Sequence, residues 1–132
     1  MVSSALSGHA MASMNWQVLF HGEFQPEFAG LPEDIQDEFL ARLKVLGQFG
    51  PQLGRPNVDT LQGSKFSNMK ELRFQLDGIW RFAFAFDPER NAIVLCGGDK
   101  EGDKDFYRDL IATADRRYTA HIASIRRRTA KD

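Results

Sequence analysis

The stretch MKELRFQLDGIWRFAFAFD, Met69 to Asp87, decides the fold, because it reads as two hydrophobic strands joined at Asp77-Gly78. In the second strand the aromatic side chains fall on one face and the small or charged side chains on the other. Arg73 and Arg81 stand inside these strands, where an apolar residue would stabilise more. The position of these two arginines is the first indication of a functional site.

The length of the hairpin loop decides whether the two arginines share a face. A two-residue loop, Asp77-Gly78, pairs Arg73 with Phe82 and puts Arg73 and Arg81 on opposite faces. A three-residue loop, Leu76-Asp77-Gly78 with Gly78 in the left-handed region, pairs Arg73 directly with Arg81. Like charges opposite one another destabilise a sheet, so this second register predicts that an anion binds there.

Other cations near the hairpin favour the anion site over a plainer alternative. An arginine on a strand is most often exposed or paired with a carboxylate, and Glu71 lies two positions from Arg73. The further donors precede Arg73, follow the third strand or begin the last helix: Lys65, Lys70, Lys100, Lys104 and Tyr107. From its place at the start of that helix, Tyr107 is expected to reach back over the strand ends. Such cations with a phenol and no interleaved histidine predict a phosphate site.

Length and composition limit the chain to one ordinary globular domain. The chain has 132 residues, 42% hydrophobic and 27% charged, with a net charge of −1. That weak charge argues against bulk nonspecific binding of nucleic acid. The single cysteine excludes a disulfide framework and indicates a reducing compartment. No apolar run approaches the roughly 18 residues of a membrane helix, so we expect a cytoplasmic protein with no membrane partner.

Other catalytic and metal-binding patterns are missing from the sequence. No Gly-rich loop ends in Gly-Lys-Ser/Thr, which argues against nucleotide hydrolysis. His21, His121 and Cys96 have no ligand-like spacing, so neither a metal nor a cofactor is expected. Cys96 lies in an apolar strand and is interpreted as a small core residue.

Periodicity over the rest of the chain predicts an α+β fold in the order β-α-α-β-β-β-α. The first part is read as a strand at 16–20, a short helix at 24–30, a longer helix from about 31 to Gly47 or Gly50, and a surface loop at 50–63. The second part is read as strands at 69–76, 79–87 and 92–97, then a helix from about Asp103 into the 120s with an inner stripe of Phe106, Leu110, Ala114 and Tyr118. Residues 1–13 are predicted to be a disordered leader or a cloning remnant, 14–122 the folded domain, and 123–132 a basic tail.

The run from Leu53 to Ile111 resembles the RelE/HigB superfamily of type II toxins, in its phage-derived HigB-like branch. Three segments carry the resemblance: the ELR…G…WR…F.FD hairpin, the IVLCGGDK third strand, and the turn into FY..LI. The resemblance extends over about Trp16 to His121. It implies a RelE-like toxin domain with a small, mainly antiparallel sheet packed against N-terminal helices and followed by a C-terminal helix.

The resemblance also implies an activity and partners. Members of the superfamily cleave ribosome-bound mRNA with Lys, Arg and Tyr side chains and no metal, and a helix-turn-helix antitoxin of the HigA-like type restrains them. The matching positions are Arg73, Arg81, Lys100 and Tyr107, with Lys65, Lys70 and Lys104 as expected phosphate-binding residues. Two alternatives stay open: a ParE-like toxin that binds DNA gyrase without catalysis, and an inactive domain of this fold that binds RNA or protein.

The implied reaction limits the role of each side chain. Attack of an RNA 2′-OH on phosphorus needs a base, positive charge near the phosphorane and an acid for the leaving 5′-oxygen. Arginine does not deprotonate, so Arg73 and Arg81 are expected to hold the phosphate. Lys70 or Lys100 is expected as the base if neighbouring cations lower its pKa, and Tyr107 or a lysine as the acid.

Overall fold

The structure, a computed structural model, describes residues 16–130, which form one five-stranded sheet with helices on both faces. The first elements are β1 (Gln17–Phe20), α1 (Phe24–Ala29), α2 (Glu33–Phe49) and a 3₁₀ turn (Gly50–Gln52). The remaining elements are β2 (Val58–Thr60), β3 (Met69–Gln75), β4 (Ile79–Phe86), β5 (Asn91–Asp99) and α3 (Phe106–Ala130). The predicted α+β class is confirmed. The leader predicted at 1–13 lies outside the described residues.

The strands are ordered β1-β5-β4-β3-β2 across the sheet. The neighbours β2, β3, β4 and β5 pair antiparallel, as the predicted meander requires, and β1 runs parallel to β5. The β3–β4 hairpin therefore occupies the middle of the sheet and is fixed on both sides.

The prediction of a surface loop over residues 50–63 was wrong at its centre. Val58–Thr60 forms the edge strand β2, in which Val58 pairs with Leu72 of β3. Val58 and Leu61 are both buried. Three residues are too few to show an alternating pattern in the sequence, so local propensity does not predict this strand. Pairing with β3 stabilises it in the folded protein.

One core lies between the sheet and helices α1 and α2. The aromatic face of β4 points into it, as the sequence predicted, and Phe82 stacks on Phe39 of α2 with ring centroids 4.1 Å apart. Gly50, with φ of 57°, ends α2, so the later of the two predicted glycine stops is the one used.

The second core lies between the opposite face of the sheet and α3. The predicted stripe of Phe106, Leu110, Ala114 and Tyr118 is buried there. The helix begins at Phe106 and continues through Ala130, so the boundary predicted at residue 122 falls inside it. Although α3 is the longest helix, neither it nor another helix within 16–130 is long and apolar enough to cross a membrane.

An ion pair between the buried Arg117 and the exposed Glu27 joins α1 to α3 beside the middle of β5. Arg117 donates to both carboxylate oxygens of Glu27, over 2.9 and 2.6 Å, and to the Leu95 carbonyl over 2.7 Å. The hydrogen bond from Arg117, despite some burial, lowers the pKa of Glu27 below its usual range. This bidentate contact holds the helices of the two layers together.

A buried carboxylate organises the β4–β5 turn. Asp87 accepts hydrogen bonds from the backbone N–H groups of Glu89 and Asn91, and its Oδ2 lies 2.8 Å from Nε2 of His121 in α3. Burial raises the pKa of Asp87, but the hydrogen bonds from His121, Asn91 and Glu89 outweigh that effect, so the pKa lies below its usual value.

We expect Asp87 to make the stability of the domain acid-sensitive. A carboxyl with a depressed pKa stabilises the fold above its unfolded pKa of about 4, and that contribution is lost as the pH falls further. Asp87→Asn is therefore expected to lower the free energy of unfolding by about 1.5 kcal/mol at pH 7 and to flatten its decline below about pH 4. Urea titrations from pH 7 to pH 3 measure both effects. Parallel curves for the two proteins would contradict the assignment.

Candidate active site

The two strand arginines face each other across the β3–β4 hairpin. Arg73 is the direct cross-strand partner of Arg81, and the Leu76 N–H donates to the Gly78 carbonyl over 3.1 Å. Asp77 has φ of 46° and Gly78 has φ of 146°. The three-residue loop and the shared face are thus confirmed, although Asp77 rather than Gly78 takes the left-handed helical conformation.

Hydrogen bonds join the β3–β4 hairpin loop to the end of β5 and the turn that follows it. Oδ1 of Asp99 accepts hydrogen bonds from the N–H groups of Ile79 and Glu101, over 2.9 and 3.0 Å. The N–H of Lys100 donates to the Ile79 carbonyl over 2.8 Å. A Cβ at Gly78 would lie 2.6 Å from the Asp99 carboxylate, so this close approach requires glycine. Asp99 and this backbone hydrogen bond therefore hold Lys100 beside the start of β4, two residues from Arg81.

A hydrogen-bonded network joins Arg81 to the last helix. Nε of Arg81 donates to the hydroxyl of Tyr107 over 3.2 Å, and that hydroxyl donates to Oε1 of Glu71 over 2.7 Å. The Arg81 side chain is 9% exposed and that of Glu71 10%, and Arg81 Nε lies 3.8 Å from Glu71 Oε1. Nη1 of Arg81 also donates to the Trp80 carbonyl. Tyr107 thus reaches over the strand ends, as the sequence predicted.

The network keeps Tyr107 in its protonated form. Burial raises the pKa of the phenol, and the hydrogen bond to the Glu71 carboxylate raises it further against the opposing effect of Arg81. A phenol with a raised pKa is a hydrogen-bond donor and a proton source near neutral pH.

Arg73 also has a carboxylate beside it. Nη1 of Arg73 lies 3.7 Å from Oδ2 of Asp59 in β2, and Arg55 Nε lies 3.3 Å from the same oxygen. The sequence left Glu71 as a possible partner of Arg73, but the structure puts Glu71 with Arg81. The repulsion between the two arginines is therefore partly compensated. Nε of Arg73 is buried and makes no hydrogen bond to any residue in 16–130.

The expected lysines divide into two groups. The Lys100 ammonium lies 6.0 Å from the centre of the Tyr107 ring, and Lys104 is exposed in the same turn. Lys70 lies on the opposite face of β3 from Arg73, because side chains alternate along a strand, and its ammonium donates to Thr60.

Lys65 lies beyond the other end of β3 from the hairpin loop. Its N–H donates to the Asp115 carboxylate, and its ammonium lies 5.5 Å from the centre of the Phe66 ring. The structure brings Arg73, Arg81, Lys100 and Tyr107 together. The structure does not bring Lys65 and Lys70 into this cluster, since sequence proximity does not show which face or end of a strand a side chain occupies. Their role in binding phosphate stays a prediction.

Comparison with known proteins assigns the chain to a family. The family described as "Phage derived protein Gp49-like (DUF891)" matches residues 26–119, a range that includes Glu71, both arginines and Tyr107. The chain belongs to this family.

Two relatives of the Gp49-like chain are proteins of Mycobacterium tuberculosis described as the predicted toxins HigB2 and HigB3. The match to HigB2 is 42% identical over 97 residues, covering 71% of this chain and 48% of the relative. The match to HigB3 is 45% identical over 98 residues, covering 74% and 85%. The Gp49-like chain therefore spans about half the length of the first relative and most of the second.

A solved structure supports the fold. An arginine-to-alanine double mutant of the Escherichia coli toxin RelE in the free state matches with a TM-score of 0.56 at 14% identity, covering 75% of the Gp49-like chain and 96% of RelE. The family match, the HigB relatives and this structural match together confirm the predicted membership of the RelE/HigB superfamily. The structural match confirms the RelE-like fold.

The Gp49-like chain also has an arginine groove that the sequence did not predict. Its volume is about 630 Å³, and its charged lining residues are Arg42, Arg55, Arg73 and Arg81. Arg42 comes from α2, and Arg55 precedes β2. Sequence reasoning also missed Asp59 as a partner of the arginine pair, and it offered Glu71 to Arg73 rather than to Arg81. The ELR pattern contains Glu71, but only the folded sheet places these residues together.

Among the described residues, Cys96, His21 and His121 lie outside the hydrogen-bonded network of this site. Burial raises the pKa of the Cys96 thiol to about 12, so the thiol is unreactive at neutral pH, and the residue packs in the second core. Within residues 16–130, His, Cys, Asp and Glu side chains form no group of three or more that could hold a metal ion.

Proposed function

We propose that this chain is the toxin of a type II toxin–antitoxin system and that it cleaves ribosome-bound mRNA as a metal-independent endoribonuclease. The HigB relatives and the RelE-like fold support the toxin assignment. One observation carries the nuclease assignment: Arg73 and Arg81 are direct cross-strand partners, and the Tyr107 hydroxyl lies between Arg81 and Glu71.

The reaction is transfer within the RNA backbone. The 2′-oxygen attacks the adjacent phosphorus, the bond from phosphorus to the 5′-oxygen breaks, and the products are a 2′,3′-cyclic phosphate and a free 5′-hydroxyl. The 2′-hydroxyl gives up one proton and the leaving oxygen receives one. Arg73 and Arg81 hold the non-bridging oxygens and stabilise the charge of the phosphorane.

Glu71 is the base that the geometry supports best. Lys70 is on the wrong face of the sheet, and a lysine must first lose its proton, whereas an ionised carboxylate accepts one directly. The contacts from Tyr107 and Arg81 both reach Oε1 of Glu71, which leaves Oε2 to take the proton of the 2′-hydroxyl. Lys100, beside the Tyr107 ring, adds positive charge at the phosphate.

Tyr107 is the acid in this scheme. Its raised pKa keeps the proton on the phenol until the 5′-oxygen develops negative charge. After the products leave, Glu71 loses the proton it took from the 2′-hydroxyl to water and the Tyr107 oxygen regains one from water, so the site is restored after each turnover. The protons balance without a metal.

Tyr107→Phe tests this role with a matched control in the chain. We expect the single-turnover rate of cleavage on mRNA-programmed ribosomes to fall about 100-fold or more. The only other tyrosine, Tyr118, packs in the second core near Asn68 and Phe86, so Tyr118→Phe should lower stability and leave cleavage by the folded protein unchanged. Equal rates for wild type and Tyr107→Phe would remove Tyr107 from the mechanism.

Expression of the chain tests the function as a whole. Growth should stop, and transcript ends should map inside translated codons. Intact mRNA together with inhibited supercoiling by gyrase would instead identify the ParE-like alternative, and neither effect would identify an inactive binding domain.

The proposed partner is a helix-turn-helix antitoxin of the HigA-like type, encoded by a neighbouring gene. A free nuclease of translated mRNA would arrest its own host, and the HigB relatives support a toxin assignment. Co-expression of the neighbouring small gene should restore growth and yield a stable complex. A neighbouring product that neither binds the chain nor restores growth would contradict this partner.

A further inference from the structure

Arg42 forms a flat platform at the end of the arginine groove away from the proposed chemistry. Its guanidinium carbon lies 5.1 Å from the centre of the Phe74 ring, which is buried beneath it. Two contacts fix the plane: Nε donates to Glu38 over 2.7 Å and Nη1 donates to Asn57 over 3.2 Å. The Arg42 side chain is nevertheless 32% exposed. The guanidinium is therefore held in place before a ligand arrives.

A fixed guanidinium plane suits a nucleobase. Bases of single-stranded RNA stack on arginine planes as they do on aromatic rings, and such stacking tolerates any base. A platform that is already ordered loses little side-chain entropy on binding. An acidic peptide would use only the charge of Arg42, which Glu38 already partly neutralises.

Arg55 supplies a second feature of the same groove. Its side chain is 73% exposed, and Nε lies 3.3 Å from Asp59, which also pairs with Arg73. An exposed guanidinium that lines a groove can reach a phosphate that passes outside it. Since Arg73 and Arg81 line the same groove, a strand held by them continues towards Arg42 and Arg55.

We propose that the arginine groove is a second RNA subsite, in which the base of a nucleotide flanking the cleaved bond stacks on Arg42 and the next phosphate contacts Arg55. The inference rests on the proposed ribonuclease function, because it takes Arg73 and Arg81 as the site of the cleaved phosphate. It assigns roles to two residues that lie outside the reacting network.

Binding of an uncleavable RNA tests the subsite. The probe is a fluorescently labelled single-stranded hexanucleotide with 2′-O-methyl sugars, and its partner probe has the same backbone without bases. We expect Arg42→Ala to weaken binding of the base-containing probe about 10-fold and to change binding of the abasic probe less than 2-fold. Arg55→Ala should weaken both probes about fivefold and reduce the salt slope by about 0.7.

Arg128→Ala is the matched control. It removes one exposed arginine whose ion pair, with Glu89, lies at the far end of α3, so both probes should bind as they do to wild type. Because Arg55 is exposed, Arg55→Ala leaves the fold intact, and circular dichroism checks Arg42→Ala. Three outcomes would overturn the subsite. The first is that wild type and both groove variants bind with equal affinity, and the second is that Arg42→Ala weakens both probes equally. The third is that wild type does not bind the probes.

Cleavage on programmed ribosomes separates this inference from the proposed function. If cleavage depends on Arg81 but the groove variants bind RNA as wild type does, the subsite is contradicted and the proposed function is not. If probe binding depends on Arg42 but no cleavage occurs, the nuclease function is contradicted and the groove remains an RNA-binding site. Groove variants that bind RNA normally but lose an acidic partner protein would show that the groove serves a protein.

Discussion

Replacing Arg81 with alanine is expected to reduce the rate of mRNA cleavage about 100- to 1000-fold. In the proposed mechanism the guanidinium holds the phosphate, and it also donates to the Tyr107 hydroxyl. Its loss therefore removes positive charge at the phosphate and frees the Tyr107 hydroxyl. Single-turnover cleavage on programmed ribosomes measures the loss, with Arg128→Ala as the charge-matched control. Arg81→Lys should recover only part of the rate, since an ammonium lacks the planar fork.

The stability of the same variant separates a phosphate clamp from a structural ion pair. Removing Arg81 relieves the repulsion at Arg73 but leaves the buried Glu71 carboxylate with less compensation. These two effects oppose each other, so we expect the melting temperature to stay within about 5 °C of wild type. A larger fall, accompanied by normal cleavage by the folded fraction, would make Arg81 a structural residue.

Gly97→Ala should produce one of the largest losses of stability available from a single methyl group, about 3 kcal/mol in the free energy of unfolding. Gly97 of β5 is paired with Phe82 of β4, and an added Cβ would lie 2.1 Å from the Phe82 ring. That ring cannot move aside, because it is stacked on Phe39 and on Phe74 in the first core. Urea denaturation measures the change.

Two controls connect that loss to the ring of Phe82. Gly54→Ala adds the same methyl group where no heavy atom lies within 4 Å, so its effect should stay below about 0.5 kcal/mol. In a Phe82→Leu background, Gly97→Ala should cost at least about 1 kcal/mol less than in wild type. If the losses in the free energy of unfolding simply add, the destabilisation by Gly97→Ala does not come from a clash with the ring of Phe82.

The hairpin could be predicted because its own residues determine it. Alternation in β4 assigns the aromatic face, and a loop of Leu76, Asp77 and Gly78 then fixes Arg73 opposite Arg81. The inward stripe of α3 was equally predictable, since its period of about 3.6 residues is long and regular. The reach of Tyr107 over the strands followed from its place in the first turn of that helix.

The compensating and groove residues could not be predicted, because tertiary contacts bring them in. Asp59 belongs to a strand of three residues that exists only beside β3. Arg42 meets Phe74 only after α2 has packed on the sheet. Lys70 shows the opposite error: it is close to Arg73 in sequence but is separated from it by the thickness of the sheet.

The pairing of β1 with β5 affects when the protein can fold during its own synthesis. Strand β1 has no neighbour in the sheet until Asn91–Asp99 has been synthesised, and Glu27 in α1 has no ion-pair partner until Arg117 in α3 follows. Contacts between distant parts of a chain form late and slowly. Tyr107 arrives with that same helix. The proposed active site therefore cannot form until α3 has left the ribosome.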